Sequence, residues 1–152
     1  MEGLLRFLNV FAAGIAAGGM SLTAAANPAK QRLPEPEAAQ LHVETSRYAD
    51  KFLPAAVVVA LVAGIIVLIT DNNLSHGSWA WLGWGLAANV VVSIPSMAIN
   101  LPINRRLDEA YRQGTLPTDV RATLLRWSRV HAFRTLFGLI AFAAYLVSFT
   151  LD

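Results

Sequence analysis

Between Phe52 and Thr70 the chain carries no charged residue, and Val, Ile, Leu and Ala fill most of the run. A helix rises 1.5 Å per residue, so about 20 apolar residues cross the roughly 30 Å of hydrocarbon in a bilayer. A helix on the surface of a water-soluble protein would instead show a polar face every turn. Three further runs have comparable length and apolarity: residues 3–26, broken by Arg6 and Asn9, residues 79–101, and residues 131–151, broken by Arg134. The expected fold is therefore all-α, an integral membrane four-helix bundle with cytosolic helical extensions. It forms one domain, 1–152, with spans at about 3–26, 52–70, 79–101 and 131–151.

Composition agrees. Hydrophobic residues make up 55% of the chain and charged residues 14%, against about 25% charged in a soluble domain. No cysteine is present, which excludes disulfides, thiolate catalysis and thiolate metal sites. The formal charge of +2 comes with no basic block, so no nucleic-acid partner is expected.

The first run ends in Thr23-Ala24-Ala25-Ala26 and could be confused with a cleavable leader. Its length and the acid Glu2 beside Arg6 favour a retained span. Gly14 and Gly18 have the small-xxx-small spacing that lets helix backbones approach closely in lipid. That spacing permits a homo-oligomer without requiring one.

Residues 27–51 are polar, and Pro28, Pro34 and Pro36 are expected to break any helix there. Beyond Pro36 a stripe runs through Ala38, Leu41, Thr45, Tyr48 and Phe52 at helical spacing, with His42 at its border. Trp79, Trp81 and Trp84 mark a membrane interface at the start of the third span. Arg105 and Arg106 are expected to stop that span. Gly114, Pro117 and Thr118 punctuate the next polar stretch, and a helix beginning near Thr118 or Asp119 runs on to Leu151.

Ten of the twelve Lys and Arg residues lie in the first and third loops: Lys30, Arg32, Arg47, Lys51, Arg105, Arg106, Arg112, Arg121, Arg126 and Arg129. The positive-inside rule then predicts a multi-pass protein of the cell membrane with those loops cytoplasmic and both termini outside.

Three stretches are too polar to face lipid. Asn89, Ser93, Ser96, Asn100 and Asn104 recur on one helical face, which should point into the bundle. Trp127, His131 and Arg134 continue an apolar stripe from Val120 and Leu124, while Arg126 and Arg129 face water or headgroups. An inward arginine at membrane depth needs an anionic or carbonyl partner. His42 and Asp50 precede the second span. On the expected topology His42, Asp50, Asn100, Asn104, Trp127, His131 and Arg134 fall near the cytoplasmic end, the usual arrangement of a pocket between helices. His76, in the opposite loop, is read as exposed.

Asn100-Leu101-Pro102-Ile103-Asn104, followed by Trp127-Ser128-Arg129-Val130-His131-Ala132-Phe133-Arg134, resembles the anthrone oxygenase-like family of small four-span membrane proteins. The segment from His42 through Asp50 to Pro54 is similar to that family's approach to its second span. The resemblance implies an oxygenase that converts an anthrone-like polycyclic phenol to a quinone with dioxygen and no metal or organic cofactor. It implies a small aromatic molecule and dioxygen as partners, within the lipid bilayer. On this reading His131 is the candidate base, with His42 as the alternative. Asn100, Asn104 and Arg134 stabilise developing oxyanions, and Trp127, Asp50 and Tyr48 contact substrate. The residues also fit two other readings. One is a metal or haem site on His42, His131 and Asp50. The other is a non-catalytic lipid- or quinone-binding or structural membrane protein, whose polar cluster only fixes packing.

Overall fold

The computed structural model describes residues 2–151; positions 1 and 152 of the expected domain lie outside the described residues. It contains α1 (Glu2–Gln31), α2 (Glu35–Thr70), α3 (His76–Pro95), a π-helical turn (Ser96–Asn100), α4 (Leu101–Arg112) and α5 (Val120–Thr150). The third span, the π turn and α4 form one continuous helical rod, His76–Arg112. Four rods are thus long and apolar enough to cross a membrane. The chain is a multi-pass membrane protein.

Several helix ends differ from the sequence expectation. Pro28 does not break α1, which continues to Gln31. A proline removes a single backbone donor, and in a membrane bundle neighbouring groups replace it. The helix end is then held from outside, because Arg121 on α5 donates to the carbonyls of Gln31, at 2.5 Å, and Leu33, at 2.7 Å. Pro36 sits in the first turn of α2, where no donor is lost to it. Arg105 and Arg106 lie on α4, where the helix continues past the expected end of the third span. The expected start of the last helix is met, with Asp119 as its N-cap. Arg106 donates to Asp119 at 2.9 Å, holding that carboxyl below the usual carboxylate range.

Large apolar side chains lie on the outer surface, where acyl chains would meet them: Phe7, Phe11, Val62, Ile69, Leu136 and Ile140 are all exposed. Small ones fill the interior, including Ala12, Ala13, Ala60, Ala88 and Ala141. Lipid is as apolar as leucine, so burial of bulk gains little there, and close backbone approach decides which face turns inward. Separately, the stripe expected at the start of α2 faces outward apart from Ala38. Leu41, Thr45, Tyr48 and Phe52 are exposed, whereas Ala38, Ala39, His42, Val43 and Ser46 are buried. His42 is therefore at the centre of the inner face. Beyond the spans, Ala38, Val43, Leu107, Val120 and Leu124 form a second, conventional core. Gly18 is exposed with nothing near its Cβ position, so Ala13, Ala16 and Ala17 make the close approach of α1 instead.

A third device fixes α3 against α5. Gly85 packs on the ring of Tyr145, which is 1% exposed and lies 3.3 Å from the amide of Asn89 through its hydroxyl. A methyl group at Gly85 would collide with that ring. Gly85→Ala is expected to lower stability by about 1–3 kcal/mol. Gly83→Ala, where the added carbon meets nothing within 4 Å, should be near neutral. Thermal unfolding of the two variants in detergent compares them directly.

Candidate functional site

The π turn prepares the site. Pro95 and Pro102 flank it and supply no backbone donor. The Leu101 N–H bonds to the Ser96 carbonyl, one residue wider than an α-helix. The hydroxyl of Ser96 satisfies the Val92 carbonyl at 2.6 Å. π turns widen a helix locally and often occur where side chains must be aimed. Here Asn100 and Asn104 both end up buried on the inner side.

Two polar arms follow. In the first, Asn104 Nδ2 donates to both oxygens of Asp50, at 3.1 and 2.9 Å. The amide oxygen therefore faces away, 3.0 Å from His42 Nε2. An amide oxygen only accepts, so Nε2 carries the proton and Nδ1 has the lone pair. That lone pair accepts from Lys30 Nζ at 3.1 Å. Each valence is fixed by the one before it, from carboxylate to ammonium.

In the second arm Asn100 turns its amide oxygen to Trp127 Nε1 at 3.3 Å and Arg134 Nη1 at 3.0 Å. The His131 ring stacks on Trp127 with centroids 4.5 Å apart and planes 9° apart. His131 Nε2 lies 3.0 Å from the Met20 carbonyl. That nitrogen must donate, so the neutral ring keeps its lone pair on Nδ1, which has no partner among the described residues. Arg134 Nε is likewise buried and unpartnered.

The arms meet at a cavity of about 140 Å³ whose lining includes Asp50, Asn100, Asn104, Trp127, His131 and Arg134. Its apolar wall comes from Leu53, Pro54, Val57, Val58 and Met97. Val58 and Met97 are also 55% and 70% exposed on the outside of the bundle, so the cavity opens between α2 and α3 at membrane depth.

Of the candidate residues, seven belong to this constellation: His42, Asp50, Asn100, Asn104, Trp127, His131 and Arg134. Tyr48 does not. It is 66% exposed, under the Lys51 ammonium, and lies outside the cavity lining. His42 is one shell back, since both its ring nitrogens are engaged by protein. Trp127 spends ring surface on His131 and on Lys30, whose ammonium lies 4.7 Å from its centroid. His76 is exposed, as expected. Among the described residues no three His, Asp or Glu side chains form a group able to hold a metal; His42 and His131 instead both pack against Trp127.

Lys30 was not foreseen as a site residue. Its 7% exposure is unusual for a lysine. A signal existed: Asn27 and Lys30 extend the inner face of Asn9, Ala13, Ala16 and Met20, but only if α1 passes Pro28.

Residues 44–144 match the family described as anthrone oxygenase. The chain belongs to the anthrone oxygenase family. The matched stretch carries every cavity-lining polar residue named above, from Asp50 to Arg134, whereas Lys30 and His42 precede it. No curated protein and no solved structure matches the chain.

Proposed function

We propose that this protein is a membrane-embedded, cofactor-independent oxygenase that converts an anthrone-like polycyclic phenol and dioxygen to the corresponding quinone and water. The observation that carries this reading is the unpartnered Nδ1 of His131 beside a cavity edged by Arg134 and two amides. An anthrone methylene proton is acidic because its carbanion delocalises into the ring carbonyl. His131 Nδ1 removes that proton, with Nε2–H held on the Met20 carbonyl to keep the lone pair on the correct nitrogen. Arg134 and the neighbouring Asn100 amide stabilise the charge that forms on the carbonyl oxygen. The carbanion transfers one electron to dioxygen, and the resulting radical and superoxide combine into a peroxide anion. Imidazolium returns the proton to give a hydroperoxide. Loss of the second methylene proton to His131 breaks the O–O bond, forms the new carbonyl and releases hydroxide, which leaves as water. One dioxygen thus takes two electrons into the quinone oxygen and two into water.

Trp127 and Met20 hold His131 on this reading, and Val58 and Met97 admit an apolar substrate from the bilayer side. The excess of basic residues on the first and third loops supports placing this end of the bundle at the cytoplasmic face.

The test is dioxygen uptake by purified protein in nanodiscs supplied with an anthrone under weak light. Equal uptake and quinone formation, at least about 100-fold above protein-free discs, is the expected result. A rate equal to that of empty discs would remove the oxygenase reading and favour a binding or structural role.

A further inference from the structure

Arg134 and Asp50 share one cavity, yet no ion pair within 4.0 Å joins them. This needs an explanation. Arg134 and Arg105 both lie within electrostatic reach of Asp50, but neither is bonded to it, so the bonded compensation of that carboxylate must come from elsewhere.

The first polar arm is that compensation. Its donors all run one way: Lys30 to His42 Nδ1, His42 Nε2–H to Asn104, Asn104 N–H to Asp50. Such a chain polarises each successive bond and carries the influence of the ammonium to the carboxylate. Among the described residues Lys30 has no acidic partner of its own within 4.0 Å, and Asp50 accepts from the relay through both oxygens.

We propose that Lys30 is a positioning residue, the remote counter-ion of Asp50, and that it leaves Arg134 free to bind an anionic oxygen of the substrate. The ligand class follows. The cavity takes a planar aromatic that bears an ionised oxygen, a phenolate, enolate or carboxylate, in preference to its neutral analogue. This deepens the proposed function and rests on it for the identity of the aromatic; the relay itself stands on the hydrogen-bond geometry.

Two measurements test it on the full-length protein in nanodiscs. The first is ¹⁵N NMR of histidine-labelled protein, where three histidines give a simple spectrum. His42 in the parent is expected to show the Nε2–H tautomer. Lys30→Met should keep that tautomer, which Asn104 fixes, but move the Nδ1 resonance to that of an unbonded ring nitrogen, while Lys30→Gln, still a donor, should keep the bonded shift. The second is binding of anthraquinone-2-carboxylate against anthraquinone, followed by tryptophan quenching. Lys30→Met and Lys30→Gln should both reduce the preference for the carboxylate about tenfold or more. Lys30→Met combined with Asp50→Asn should recover it, because the competing carboxylate has lost its charge. A purely structural lysine would not be rescued by a second substitution inside the cavity.

An unchanged His42 Nδ1 resonance in Lys30→Met overturns the relay. An unchanged preference, or no recovery in the double variant, overturns the counter-ion role. Should neither quinone bind the parent, the proposed function falls with the ligand class, and the Nδ1 resonance alone then decides the relay.

Discussion

Protein carrying His131→Ala is expected to oxidise an anthrone about 10²–10⁴ times more slowly than the parent, the usual contribution of a positioned general base. The loss should fall on kcat, because the imidazole acts on a proton and its removal leaves the cavity walls in place. His42→Ala should cost much less. Both nitrogens of His42 are bonded to Asn104 and Lys30, so that ring has no lone pair to offer the substrate and acts only through its neighbours. His76→Ala, on the exposed opposite loop, should retain the parental rate. The ordering of these three rates, measured as quinone formation at saturating dioxygen, is the decisive comparison. Equal rates for the parent, His131→Ala and His42→Ala would end the base assignment.

At the other end of the bundle, Asp71→Ala is expected to destabilise the protein by about 3–5 kcal/mol, as removal of one partner from a buried ion pair commonly does. Arg6, early in α1, donates through Nε to Asp71 at 2.8 Å and through Nη2 to the same oxygen. The other Asp71 oxygen accepts from the Asn73 N–H at 3.1 Å, tying the turn after α2 to the pair. The Asp71 side chain is 2% exposed, so its loss removes a buried carboxylate that takes two bonds from Arg6 and one from the turn. Arg6→Leu combined with Asp71→Leu should regain much of that stability, because exchange of a whole buried pair for apolar residues is often neutral or better. Thermal unfolding of the single and double variants in one detergent gives the cycle. A double variant as unstable as Asp71→Ala would mean that the carboxylate matters chiefly for the turn.

The membrane class, the number of spans and most of the site were legible from residues alone, and one physical cost explains why. Amides, imidazole and guanidinium are expensive to leave facing acyl chains, so their appearance at helical spacing inside apolar runs marks an inward face. Asn100, Asn104, Trp127, His131 and Arg134 were readable in this way. Tyr48 was misplaced by the same kind of reasoning used where it does not hold. At the start of α2 the spacing of the apolar residues does not tell which face meets the neighbouring helices. The bundle buries Ala38, Ala39 and Ser46 there and leaves Leu41, Tyr48 and Phe52 outside.

Sequence by itself determined that this chain must cross a bilayer four times and gather its polar groups, because hydropathy and helical period are local properties. Tertiary structure alone decided which groups became partners. Lys30 reaches the site only because α1 runs on past Pro28 and Arg121, ninety residues later, holds its end. Arg6 meets Asp71 across 65 residues. The proton on each imidazole is placed by a carbonyl or amide from another helix. Valence and distance between remote segments set these relations, and neither is written in the spacing of residues along one helix.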